Sequence, residues 1–187
     1  ARGIPRGVPV TPQILRTAAD LQLALQGHFT RKEAVGFVPT MGALHAGHRA
    51  LLERARAEND RVVLSLFVNP TQFDDPADLT RYPGTLPADL ALADGLADHV
   101  FAPTAAELYP DDYRYRVSEY ILSGRWEGEH RAGHFEGVLT VVLKLLNLVR
   151  PHRAYFGEKD WQQLQLVRGM VQGLFLPVAI VACPTVR

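Results

Sequence analysis

GFVPTMGALHAGHRALLERA, residues 36–55, decides how the chain is read. An apolar run ends at Pro39 and Thr40, Met41 and Gly42 follow, and two histidines stand just before a stripe of Leu51, Leu52 and Ala55. The run predicts a buried strand and the stripe an amphipathic helix. Histidine is a mediocre helix former, and glycine in a first turn costs about 1 kcal/mol against alanine. Stability alone therefore does not account for His45, Gly47 and His48.

Further strands and helices alternate on either side. Ala34–Pro39 and Arg61–Asn69 are nearly continuous apolar runs, as expected when both faces of a parallel sheet are covered. His99–Pro103, Arg153–Gly157 and Pro177–Cys183 predict three more strands. Leu90, Leu92 and Leu96 mark one intervening helix. Val138 to Val149, apolar at spacings of three and four, marks another and reads as core, and Gln162–Val171 marks a fourth. Leu108 to Gly133 is polar, aromatic and glycine-rich, and reads as an inserted excursion. The expected fold is α/β: a doubly wound, Rossmann-like parallel sheet of about five strands in the order 3-2-1-4-5, with helices on both faces. In that order ligands bind beyond the carboxyl ends of the first and fourth strands. PTMGALHAGH and FGEKD would then face each other across one crevice.

The 187 residues suffice for one domain with a sizeable core. Twenty basic and twenty acidic residues give a formal net charge of +0, so no overall field favours nucleic acid and an anion must be captured locally. Cys183 is the single cysteine, which removes intrachain disulfides and fits a reducing, cytoplasmic setting. The basic, proline-broken start has no signal-peptide core, and Val138–Val149, interrupted by Lys144 and Asn147, is too short to span a bilayer. Neither nucleic acid nor membrane is expected as a partner.

A helix N-terminus offers unpaired N–H groups and partial positive charge, which suit phosphate. His45 and His48, three apart, share a helical face and can donate to oxygens that gain charge when a phosphoryl centre is attacked. Gly47 would let a nucleotide approach the backbone. The alternative is that one histidine caps the helix and the other is a solvated surface residue. GEKD taken alone is equally consistent with a surface turn. A zinc site on the histidine pair is disfavoured by their spacing.

PTMGALHAGH, FVNPTQF, RYPGT, GHFEGVLTVVLKLLNLVRP and FGEKDWQQL occur in order from about Val35 to the end. Together they resemble the pantothenate synthetase family of HxGH nucleotidylyltransferase-like enzymes. The resemblance implies condensation of pantoate with β-alanine through a pantoyl adenylate, consuming ATP with magnesium and releasing AMP and pyrophosphate. It makes His48, as proton donor, His45 and Lys159 catalytic. It assigns ATP to Met41, Gly42, His45, Gly47, His48, Gly157, Glu158, Lys159, Asp160 and Val186, and pantoate to Gln72, Gln163 and Met41. Phe73 and Phe156 would join Met41 as an apolar wall, Asn69, Tyr82 and Arg131 are further candidate substrate contacts, and Asp89 is a candidate magnesium ligand. A homodimer is also implied.

The chain departs from the family at Gly84 in RYPGT, where arginine is common, and at Ala88 before Asp89. Residues 1–187 are read as the nucleotide- and pantoate-binding N-terminal domain, with the family's C-terminal lid domain absent. Since a lid excludes water and protects an acyl adenylate, impaired turnover is expected. Two other readings stay open: a nucleotidylyltransferase that releases an adenylylated product, and a noncatalytic nucleotide- or pantoate-binding module.

Overall fold

The computed structural model describes residues 11–73 and 84–186. The first half runs β1 (Gln13–Leu15), α1 (Ala18–Thr30), β2 (Val35–Thr40), α2 (Ala46–Glu58), β3 (Arg61–Leu66) and a 3-10 turn (Pro70–Gln72). Then come α3 (Leu86–Ala93), β4 (His99–Phe101), α4 (Ala105–Leu108) and α5 (Glu127–His130). The chain continues with α6 (His134–Val149), β5 (Arg153–Gly157), a second 3-10 turn (Glu158–Asp160), α7 (Trp161–Gly173) and β6 (Ala179–Cys183).

The six strands form one parallel sheet in the order β1-β4-β3-β2-β5-β6. Without β1 this is the expected 3-2-1-4-5 order; the sixth strand, at the edge beside β4, is the difference. The order reverses between β2 and β5, which pair through Gly36–Arg153 and Phe37–Ala154. Alternation along the central strands feeds two cores, because successive side chains point to opposite faces. Phe37 and Val63 join Leu21, Leu139 and Leu164 on one face. Val38, Val62 and Leu64 join Leu52, Ala93 and Tyr155 on the other. Helices thus cover both faces.

Three local expectations are corrected. The N-terminal β1–α1 unit, read from sequence only as a proline-broken start, exists: Thr17 caps α1 by accepting from the Asp20 N–H, and Leu21 and Leu25 are buried. The helix expected from Leu90, Leu92 and Leu96 ends at Ala93, and its buried positions are Asp89 and Ala93. The strands expected to reach Asn69 and Pro103 stop at Leu66 and Phe101. The excursion lies against α6 and α7: the Val117 N–H donates to Thr140 Oγ1 at 2.9 Å. Buried Gln162 ties it down, its Nε2 donating to the Leu122 and Arg125 carbonyls and its Oε1 accepting from the Glu127 N–H.

At the N-terminal ends of the strands, charges are gathered and paired. Buried Asp98 accepts from the Val62 N–H at 2.7 Å and meets Arg56 and Arg61. Arg31 and Arg61 bracket Glu33 and hold its carboxyl far below the usual range. Among the described residues no helix is long and apolar enough to cross a membrane.

Candidate functional site

Beyond the carboxyl ends of β2 and β5 lies a cleft of about 250 Å³. It is lined by Met41, His45, Gly47 and His48 after β2, by Asn69 and Gln72 after β3, and by Gly157, Lys159, Asp160 and Gln163 after β5. The two polar loops do face each other. Val186 lines the cleft as well, and Phe156 stands with Met41 in its apolar wall.

The histidine geometry combines the capping and the chemical readings. His45 is the N-cap of α2, and its Nδ1 accepts from the Gly47 N–H at 3.1 Å. The His48 Nδ1 accepts from the His45 N–H at 3.4 Å. With both Nδ1 atoms accepting, each neutral ring carries its proton on Nε2, so both Nε2–H groups are left as donors. The rings lie 4.1 Å apart. Burial above all, then neighbouring His45 and Lys159, push the His48 pKa down to about 4, against the opposing pull of Asp89. At neutral pH His48 is an uncharged N–H donor. Gly47 has a reason of its own: a Cβ there would sit 2.9 Å from His45 Cε1. The glycine makes room for the folded-back ring, whatever it offers a nucleotide.

Gln72 is held on several sides. Its Oε1 accepts from Asn69 Nδ2 at 3.1 Å, and its Nε2 lies 2.9 Å from the Met41 sulfur. Its carbonyl accepts from His134 Nδ1 at 2.9 Å and from Arg131 Nη2 at 3.4 Å. Asn69 is 1% exposed, and its Oδ1 accepts from Tyr109 OH at 2.7 Å and Thr71 Oγ1 at 3.0 Å. Both ends of its amide are thus committed to the protein, and it braces the turn that carries Gln72.

Not every expected residue reaches the cleft. Gly42, Glu158, Arg131 and Phe73 are not among those lining it. Arg131 instead pairs with Glu127 at 2.8 Å and supports Gln72 from behind. Tyr82 lies outside the described residues. Asp89, the candidate magnesium ligand, is 4% exposed, and its oxygens accept from the Ala43 and Leu44 N–H groups and from Thr85 Oγ1. The described residues gather no group of three or more His, Cys, Asp or Glu able to hold a metal ion. Sequence reading missed part of the wall: Phe67, Tyr155, Pro184 and Thr185 line the cleft, and so do Val138, Val141, Val142 and Leu145 of α6, taken only as core. The α6 spacing is the same for core and for pocket wall, so the sequence carried no signal to separate the two.

Comparison with known proteins shows the family and the fold. The family model described as pantoate-beta-alanine ligase matches residues 13–187. A pantothenate synthetase of Bdellovibrio bacteriovorus is 54% identical over 178 residues, covering 94% of this chain and 69% of that protein. The crystal structure of pantothenate synthetase from Thermus thermophilus is similar with a TM-score of 0.87 at 52% identity, covering 94% of this chain and 62% of that one. That of pantoate-beta-alanine ligase from Francisella tularensis, complexed with beta-gamma ATP and beta-alanine, gives a TM-score of 0.90 at 40% identity, covering 94% and 68%. The chain spans between 62% and 69% of the length of these three relatives.

Proposed function

This chain belongs to the pantoate-beta-alanine ligase family, and from that premise we propose that its cleft adenylylates pantoate with ATP and passes the acyl group to β-alanine. The observation that carries the reading is the meeting, at the point where the sheet reverses, of two Nε2–H donors, the Lys159 ammonium and the Gln72 and Gln163 amides in one cleft.

In the first step a pantoate carboxylate oxygen attacks the α-phosphorus of ATP. A carboxyl O–P bond forms, the bond to the bridging oxygen breaks, and that electron pair leaves on pyrophosphate. His45 and His48 donate Nε2–H bonds to the phosphoryl oxygens that gain charge; removing one such donor typically costs a hundredfold or more. Lys159 supplies a point charge for the phosphates. Asp160, exposed at the rim, suits ribose hydroxyls, while Gln72 and Gln163 address the hydroxyls of pantoate. Met41, Phe156 and the α6 valines accommodate its two methyl groups. In the second step the neutral amine of β-alanine attacks the acyl carbon, AMP departs with the carboxyl oxygen that was joined to phosphorus, and the nitrogen releases a proton to solvent as the amide forms. The reading includes a homodimer in the cytoplasm, which sedimentation and fractionation test directly.

Pantoate-dependent exchange of labelled pyrophosphate into ATP tests the first step, on this chain and on His48→Ala. Exchange that requires pantoate and falls at least a hundredfold in His48→Ala is the expected result. Exchange that ignores pantoate, or that survives the substitution, refutes the assignment. Adding β-alanine separates the ligase, which yields an amide and AMP, from an enzyme that releases the adenylate. Saturable binding without exchange marks a binding module.

A further inference from the structure

We propose that Asp89 is a positioning residue: its carboxylate is a built-in anion that locks the turn at residues 42–44, from which the histidine pair enters the cleft. Gly42 and Ala43 are consecutive residues of positive φ, at 93° and 51°. For alanine that conformation is uncommon, and it persists only where the surroundings over-determine it. Here the surroundings are Asp89 and Thr85. The Leu44 N–H donates to Asp89 Oδ1 at 2.7 Å, and the Ala43 N–H is shared between Asp89 Oδ2 and Thr85 Oγ1, each at 3.1 Å. Thr85 Oγ1 in turn donates to Asp89 Oδ2 at 3.0 Å. As the N-cap residue of α3, Thr85 makes no side-chain capping bond to its own helix. Its hydroxyl is committed to the turn instead.

Successive backbone N–H groups converging on one anion form a nest. In this protein the anion is covalently part of the chain, and it is 4% exposed. The approach is close: a Cβ at Gly42 would lie 3.1 Å from Asp89 Oδ2, which together with its φ of 93° reserves the position for glycine. Leu44 is followed at once by His45, the N-cap of α2, so a rotation of the turn would swing both rings. An ionised carboxylate accepts on both oxygens, whereas an amide must aim its NH₂ at one of the N–H donors. The hold on the turn stands on geometry alone; its effect on rate rests on the function proposed above.

The test uses Asp89→Asn and Thr85→Val in the full chain, with two readouts. Amide hydrogen exchange, followed by NMR without ligand, is expected to accelerate at Ala43 and Leu44 in Asp89→Asn, and at Ala43 in Thr85→Val. Pyrophosphate exchange is expected to lose about 100-fold in kcat in Asp89→Asn, the order that a misplacement of about 1 Å costs. The KM for ATP and the magnesium concentration giving half-maximal rate are expected to stay within about threefold, as pure positioning of the donors requires. Unchanged amide exchange in both variants overturns the proposal. So does a raised magnesium requirement with the Ala43 and Leu44 amides unaffected, which would make Asp89 an ion ligand. If the parent chain shows no pyrophosphate exchange, the functional reading fails while the amide readout still decides the role of Asp89. Should Asp89→Asn not fold, Thr85→Val decides the matter through Ala43.

Discussion

Gly137→Ala separates the positioning of Gln72 from the stability of the fold. Gly137 lies inside α6, where the 3-10 turn at Pro70–Gln72 rests on the helix. A Cβ added there would stand 2.5 Å from the Thr71 carbonyl oxygen, 2.8 Å from its carbon and 3.0 Å from the Gln72 nitrogen. All three are backbone atoms and cannot rotate aside, so the turn must withdraw by about 1 Å to reach ordinary contact. Two hydrogen bonds oppose that withdrawal: Asn69 Nδ2 to the Gly137 carbonyl at 3.2 Å, and His134 Nδ1 to the Gln72 carbonyl at 2.9 Å. Replacing glycine by alanine within a helix gains about 1 kcal/mol, and overpacking costs about 1–3 kcal/mol. The net loss of stability is therefore about 0–2 kcal/mol. The displacement also moves Gln72 and Asn69 from their places in the cleft wall, and a shift of about 1 Å at a substrate-orienting group costs on the order of 100-fold in rate. Urea unfolding paired with pantoate-dependent pyrophosphate exchange reads both quantities. Near-parental stability with a collapse in exchange is the expected signature. Parental exchange would refute the argument that this contact places Gln72.

Two further outcomes follow from the histidine cap. Because the His48 pKa sits at about 4 in the folded chain against 6.5 ordinarily, the unfolded chain binds more protons between those values. The stability this confers is complete above about pH 6.5 and is lost as pH falls through 4. With solvent screening at a partly exposed site it amounts to on the order of 1 kcal/mol. Urea midpoints measured from pH 7 to pH 4 should fall less steeply in His48→Gln than in the parent. Gly47→Ala should improve the intrinsic propensity of α2 by up to about 1 kcal/mol, yet displace the His45 ring, which a Cβ would meet at 2.9 Å. A thermal midpoint at or above the parental value with at least tenfold lower pyrophosphate exchange is the result that supports the ring's placement.

Continuous apolar runs and the β-α-β alternation were enough to give the five strands their order, because central parallel strands such as Val62–Leu64 are buried on both faces. The β1–α1 unit was not legible for the opposite reason. β1 has three residues with only Leu15 buried, and α1 mixes buried Leu21 and Leu25 with Leu23 at 72% exposure. Its helical stripe is too narrow to announce itself. The placing of the histidines and Lys159 at one cleft was legible because the topology sends the loops after β2 and β5 to the same end of the sheet, whereas Gln72 and Gln163 were named only through the family resemblance. The hydrogen bonds of Asp89 were not legible, because a carboxylate near a phosphate site looks the same in sequence whether it faces an ion or two backbone N–H groups. Only the positive φ angles of Gly42 and Ala43 reveal which donors it meets.

The charge network around Asp98 and Glu33 and the cleft stand at opposite ends of the same strands. A strand of six residues such as β3 spans roughly 20 Å, well beyond the distance at which substitutions usually couple. Stability and chemistry therefore have separate addresses in this fold. The positive-φ turn at Gly42 and Ala43 burdens the carboxyl rim, while the ion pairs on Asp98 and Glu33 tighten the amino rim. Evolution, or an engineer, can strengthen the second without disturbing the first. The usual exchange of robustness against activity should then be weaker for substitutions at the amino rim than for those at the cleft.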